Sequence, residues 1–148
     1  MKFILLAFVF SLTLAGCQKK KTQAEKDDIT IQNYLSDHGL TATKTESGLY
    51  IIVNSVGNGA ACNSNSDVRV RYKGYFDNGD IFDQSSSTGV EFNLQNVIAG
   101  WTEGIPHFKE GGEGVLLIPS GLGYGSQGAG SVPGNTVLIF NVKLIDVL

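Results

Sequence analysis

Cysteine and histidine are scarce in this chain. Cys17, Cys62, His38 and His107 are the full supply in 148 residues. Four such residues, so far apart, support neither a disulfide framework nor a metal site of ordinary ligand spacing. Basic residues are also few, 11 against 14 acids for a net charge of −3. Apart from Lys19-Lys20-Lys21 they form no run, so nucleic acid is not an expected partner. No serine occupies a G-x-S-x-G elbow, and no two carboxylates are obviously paired for acid–base work. Gly123-Tyr124-Gly125-Ser126-Gln127-Gly128 matches a dinucleotide fingerprint in its letters alone. Ala129-Gly130-Ser131-Val132-Pro133-Gly134 follows it, where a helix N-terminus would have to meet the pyrophosphate. Covalent, hydrolytic, metal-dependent and nucleotide-dependent chemistry are all poorly supplied, and no cofactor or metal is expected.

Glycine, by contrast, is abundant at 19 residues. Without a collagen-like period, these glycines point to turns and close backbone approaches. A chain 42% hydrophobic and 17% charged is globular in composition, and its length suits one domain of ordinary size.

The chain begins MKFILLAFVFSLTLAGC. A lysine, an apolar core and small residues at Ala15 and Gly16 have the anatomy of a secretory signal peptide over 1–16. Phe3 to Gly16 is 14 residues, short of the roughly 20 needed to span a bilayer. Leu14-Ala15-Gly16-Cys17 resembles a bacterial lipobox, which implies cleavage before Cys17 and lipidation of that residue. An ordinary signal peptide with an incidental Cys17 is the plainer alternative. Residues 17–28 then read as the lipidated cysteine and a solvated tether. Lys19 to Lys21 either approach anionic head groups or belong to a simple linker. With Cys17 acylated, Cys62 is left as a loop or surface thiol.

Residues 29–47 read as an N-terminal helical extension. Ile31, Tyr34, Leu35 and His38 fall at helical spacing, which predicts a helix over Asp27–Gly39 with Asp27 or Asp28 as its cap. From Gly48 the period changes to two. Val68, Val70, Tyr72, Gly74 and Phe76 alternate with Arg69, Arg71, Lys73 and Tyr75, the pattern of a half-buried strand. Asn78-Gly79 is the pair favoured in a type I′ hairpin turn, with a returning strand at Ile81–Asp83. Val115–Ile118 is a continuous apolar run that Pro119 stops, and Thr136–Leu148 alternates again. One short helix fits near Gly100–His107. Antiparallel strands with one such helix indicate an α+β domain over 48–148.

Among the aromatics, Tyr72, Phe82, Phe92, Trp101, Tyr124 and Phe140 stand among glycines in separate segments. Taken singly, each is most simply a core residue. Their order is more telling. VRVRYKGYFDNGDIFDQS (Val68–Ser85), FNLQNVIAGWTEGI (Phe92–Ile105) and LLIPSGLGYGSQGAGSVPGNTVLIFNVKLIDV (Leu116–Val147) together resemble the FKBP-type peptidyl-prolyl cis–trans isomerases, collinearly over about 100 residues.

The resemblance implies a twisted antiparallel half-barrel sheet wrapped around one short helix. It implies Trp101 as the floor of a proline pocket, and Tyr72, Phe82, Val97, Ile98 and Phe140 as its walls. Asp83 is implied as a polar wall group, with the Ile98 N–H and the Tyr124 hydroxyl as donors to the substrate's carbonyls. Phe92 is implied as a core aromatic near the pocket. Val90 stands at an often aromatic rim position, and Val132 in a loop overhanging the site. Four features depart from the family pattern: a loop one residue shorter between Tyr124 and Pro133, Ser131-Val132 where two bulky apolar residues often sit, Gln95 at a usual glycine place, and Pro106 within or just after the short helix. The implied activity is isomerisation of X-Pro bonds in exported, partly folded proteins, with macrolides as possible inhibitors. A chaperone or peptide-binding module of the same fold is the alternative. The expected location is the cell envelope, lipid-anchored on the periplasmic side of the outer membrane.

Overall fold

In the computed structural model, residues 20–148 are described. The expected signal peptide, Cys17, Gln18 and Lys19 lie outside them. Among the described residues, no helix is long and apolar enough to cross a membrane.

The first helix, α1, spans Gln23–Asp37. It therefore starts inside the segment expected to be a tether, and neither Asp27 nor Asp28 caps it. Thr22 does, with a full capping box. Its side chain accepts the Glu25 N–H at 3.2 Å, and the Glu25 carboxylate accepts the Thr22 N–H at 2.7 Å. Two otherwise unpaired donors are thus satisfied where the sequence shows only polar residues. At the other end the Leu40 N–H reaches the Leu35 carbonyl and the Gly39 N–H reaches Ser36. This Schellman closure ends the helix at the glycine expected to end it.

Seven strands follow, all antiparallel: β1 (Thr43–Lys44), β2 (Tyr50–Ser55), β3 (Asp67–Tyr75), β4 (Ile81–Gln84), β5 (Val90–Asn93), β6 (Glu113–Ile118) and β7 (Leu138–Val147). Their order is β1-β2-β6-β7-β3-β4, with β5 also on β3. The second helix, α2 (Ala99–Gly104), runs into a 3-10 turn at Ile105–His107 that holds Pro106. The β3–β4 hairpin differs from a type I′ turn. Gly79 has φ 89°, while Asn78 does not enter the left-handed region. The Gly79 N–H bonds to Phe76 O, and Phe76 N–H to Asp80 O. This is a three-residue loop closed by a left-handed glycine.

A helix lies on each face of the sheet. Alternate residues Leu138, Phe140, Val142 and Leu144 of β7 join Leu116 and Ile118 in the core on the α2 side. Ile139 and Leu117 point the other way, against Ile31 and Leu35 of α1. Cover on both faces explains why Val115–Ile118 of β6 is a continuous apolar run. Full burial of each such Leu or Ile contributes about 1.5–3 kcal/mol.

Helix α2 sits close on the sheet through two glycines one turn apart. A Cβ on Gly100 would stand 2.6 Å from Ile118 Cγ2, and one on Gly104 2.7 Å from Leu116 Cδ2. No side chain fits there, so the helix backbone settles onto β6 and Trp101 is set against β3 and β7.

Candidate functional site

Trp101, in the first turn of α2, is only 4% exposed. Three rings meet it nearly edge-on: Tyr72 from β3 at 5.1 Å and 85°, Phe92 from β5 at 5.3 Å and 78°, and Phe140 from β7 at 5.3 Å and 82°. Edge-to-face pairs at these separations are favourable beyond their burial. The period-two pattern supplies Tyr72 and Phe140, because both point to the α2 face of their strands.

Above the indole opens a cavity of about 380 Å³. It is lined by Tyr72, Asp83, Phe92, Asn96, Val97, Ile98, Trp101, Tyr124 and Phe140. Seven of the eight residues expected at the pocket's centre, together with Phe92, are thus brought to one cavity. The eighth, Phe82, stands behind Phe140, its ring perpendicular at 5.4 Å, and also packs on Phe76 at 4.9 Å. Gly74 makes room for this: a Cβ there would come within 2.7 Å of both Phe82 and Phe140.

Two expected rim residues lie elsewhere. Val90 faces Val70 across the β5–β3 ladder, 39% exposed and away from the cavity lining. Val132 is 6% exposed and belongs to the core beside α2. The reason is local: Ala129 and Val132 exchange both backbone hydrogen bonds at 2.9 Å. The loop folds into a tight turn that tucks Val132 inward instead of over the site. Asn96 joins the lining without a sequence motif to mark it. Its place two residues before Ile98, in the segment leading into α2, was the available signal.

The polar groups of the cavity are few and directed. The Tyr72 hydroxyl donates to Asp83 Oδ2 at 2.8 Å. Burial, reinforced by the Asp83 carboxylate, pushes the Tyr72 hydroxyl up to about 12. Ile98 immediately precedes α2 with φ −59° and ψ 146°. Its carbonyl accepts the Trp101 and Thr102 amides, while its own N–H meets no acceptor among the described residues. Tyr124 is 39% exposed at the cavity edge. The Trp101 Nε1–H is buried and also without a partner among the described residues. An apolar slot with a few unspent donors is suited to a small apolar ring flanked by carbonyl groups.

A second concavity, of about 470 Å³, lies on the other face of the sheet among Arg71, Lys73, Glu113, Asn141 and Lys143. Tyr72 is the one aromatic residue along it, and that ring packs on Trp101 on the opposite face. Cys62 is partly buried against the core on the α2 side, and burial pushes its thiol up, so it is poorly suited to nucleophilic work.

Comparison with known proteins points the same way. The family model for FKBP-type peptidyl-prolyl cis-trans isomerases matches residues 59–145. A probable FKBP-type peptidyl-prolyl cis-trans isomerase of Haemophilus influenzae is 46% identical over 112 residues, covering 74% of this chain and 46% of that protein. FkpA of Escherichia coli K12 is 38% identical over 118 residues, covering 78% of this chain and 43% of its own length. The crystal structure of FkpA from Escherichia coli superposes with a TM-score of 0.74 at 34% identity, over 84% of this chain and 60% of that one. A peptidyl-prolyl cis-trans isomerase from Pseudomonas syringae pv. tomato gives 0.71 at 30% identity, over 87% and 98%. The chain spans about half the length of the curated relatives it matches.

Proposed function

The chain belongs to the FKBP-type peptidyl-prolyl cis-trans isomerase family, and from that premise we propose that the cavity over Trp101 binds a proline ring and speeds rotation about the X-Pro bond. One observation carries this reading: an aromatic slot floored by a buried indole, with an unspent backbone donor and a tyrosine at its edge.

The task suits the residues. Amide resonance sets a barrier of about 18–20 kcal/mol to rotation, and uncatalysed X-Pro exchange takes tens to hundreds of seconds. No bond breaks and no proton leaves, so the protein has only to bind the twisted amide better than either planar form. Planar amides carry separated charge that water stabilises. A slot walled by Tyr72, Phe92, Trp101 and Phe140 removes that water. In this reading the Ile98 N–H and the Tyr124 hydroxyl hold carbonyls on either side of the proline. The Tyr72 hydroxyl is already committed to Asp83. Tyr72 therefore acts as an apolar wall and as the brace that orients the Asp83 carboxylate toward the bound amide. No step uses a metal or a nucleotide.

The clients we propose are exported proteins, reached from a membrane to which acylated Cys17 holds the chain, on the periplasmic side of the outer membrane. The lipobox-like Leu14-Ala15-Gly16-Cys17 supports this reading. Growth with a radiolabelled fatty acid should label the wild type and not Cys17→Ala.

The decisive measurement for the pocket is exchange of cis and trans proline peptides by NMR, with and without the protein. Wild type should accelerate exchange, and Trp101→Leu should lose most of that rate while its circular dichroism stays native. A folded wild type that leaves the rate unchanged would turn the reading to a peptide-binding or chaperone module of the same fold.

A further inference from the structure

Helix α1 lies outside the family match of 59–145, and its first two turns grip the loop that carries Tyr124. Asp27 is 3% exposed and Ser120, 93 positions further along the chain, is also 3% exposed. Asp27 Oδ2 accepts both the Ser120 N–H at 2.8 Å and the Ser120 hydroxyl at 2.6 Å. Asp27 Oδ1 accepts the Gln23 side-chain amide at 2.7 Å. That same amide reaches the Asn135 carbonyl at 3.4 Å.

Both contacts lead to Tyr124. The Ser120 carbonyl accepts the Gly123 N–H at 3.0 Å and the Gly125 N–H at 2.8 Å, the residues on either side of Tyr124. The Asn135 N–H donates to the Gly125 carbonyl at 2.8 Å. Asn135 has φ 57°, a left-handed conformation that Asn accepts more readily than most residues. The loop is therefore fastened at its start and at its end to one buried carboxylate and the glutamine beside it. A buried carboxylate with this set of donors is costly to disturb from either side, so the loop's position is tied to the position of the helix.

We propose that Asp27, with Gln23, is a positioning residue for Tyr124. The N-terminal helix sets where the Tyr124 hydroxyl stands over the cavity, and hence how well that hydroxyl meets a substrate carbonyl. This rests on the reading of Tyr124 as a substrate donor. A helix that merely covered apolar surface would need Ile31 and Leu35 but not a carboxylate bonded to the far end of the chain.

The test pairs a structural readout with a catalytic one. In Asp27→Ala, the Gly123 and Gly125 amides should exchange with solvent about tenfold faster or more, the scale of losing a hydrogen bond to a charged group. Amides of β7 should keep their protection, and Lys26→Ala on the same helix should change nothing. Unchanged exchange at Gly123 and Gly125 overturns the clamp. In proline-peptide exchange, Asp27→Ala should lower kcat/KM about tenfold, and much less in a Tyr124→Phe background, because the two changes remove one interaction. Fully additive losses would overturn the positioning role. Should Asp27→Ala fail to fold, Ser120→Ala removes the hydroxyl and keeps the backbone bond. It should shift both readouts the same way by a smaller factor, and no shift would count against the clamp. An inactive wild type would remove the isomerase reading, while the amide exchange would still decide the clamp.

Discussion

The Tyr72 hydroxyl donates to the Asp83 carboxylate across 2.8 Å, joining β3 to β4 at the mouth of the aromatic slot. The tyrosine ring meanwhile lies edge-on to Trp101 at 5.1 Å. One side chain thus serves as wall and as brace. Tyr72→Phe separates these roles. The ring and its packing stay, and Asp83 loses its oriented donor. We expect kcat/KM for proline peptides to fall about three- to tenfold, the scale of a modest hydrogen bond, with stability nearly unchanged. A loss as deep as that of Trp101→Leu would show that the hydroxyl itself does the chemistry.

The same pair predicts a titration. The Tyr72 hydroxyl is pushed up to about 12, first by burial and then by the neighbouring carboxylate. A free tyrosine ionises near pH 10. The folded value is raised, so the linked stability is fully present below about pH 10 and is lost as pH rises through about 12. Burial also delays Tyr75 and Tyr50, so the tyrosinate absorbance that develops late in alkali should shrink by one tyrosine's amplitude in Tyr72→Phe rather than vanish. In Asp83→Asn the Tyr72 ionisation should move earlier.

Acid should act at the α1 end. The Asp28 carboxyl is held below its ordinary range by hydrogen bonds from Lys44 and then Tyr50. A lowered folded value means that this contribution is present above the ordinary carboxylate range, near pH 4, and fades as pH falls through the lowered one. The groups are partly exposed, so the effect is modest and screened by salt. Denaturant midpoints of Asp28→Asn should therefore show a shallower fall between pH 5 and about 3 than those of wild type.

The contact between α2 and β6 gives a stability test. Gly100→Ala adds a carbon 2.6 Å from Ile118 Cγ2. Alanine favours a helix by about 1 kcal/mol over glycine, but overpacking typically costs about 1–3 kcal/mol. Steric exclusion wins where backbone and sheet are both fixed, so the net should be a loss of stability. In an Ile118→Ala background, where the γ-carbons that Gly100→Ala would strike are gone, adding Gly100→Ala should lower the thermal midpoint much less than it does in wild type. A more stable Gly100→Ala would mean that α2 moves away freely.

Much of this was legible in the sequence, and the exceptions share a cause. Val68 to Phe76 and Thr136 to Leu148 announce strands because one face of each is buried, and burial writes a period of two. The aromatic site followed from residue order, since Tyr72, Trp101 and Phe140 recur in a familiar arrangement of segments. The start of α1 escapes the sequence pattern because Thr22 and Glu25 look like tether residues until their reciprocal bonds are seen. Asp27 resembled a cap and is instead buried against Ser120. No local pattern reports a partner 93 positions away. The letters Asn78-Gly79 fit a three-residue loop closed by a left-handed glycine as well as a type I′ turn.

Val132 shows how a loop's length and its shape can point in different directions. By position it belongs to an overhang, but the Ala129–Val132 turn buries it to 6% exposure. Val90, the other expected rim residue, stands 39% exposed on β5. The two should therefore respond oppositely to substitution. Val132→Ala removes two buried methyl groups and should cost about 1–2 kcal/mol at the low end of core truncations. Its effect on kcat/KM at a temperature where it is fully folded should be small. Val90→Thr keeps the strand-favouring branch and should change neither stability nor rate. Denaturant midpoints and proline-peptide exchange, measured on both variants, check this directly. A large rate loss with unchanged stability in Val132→Ala would put the side chain back over the pocket and make the tight turn a closed form of a loop that opens to substrate.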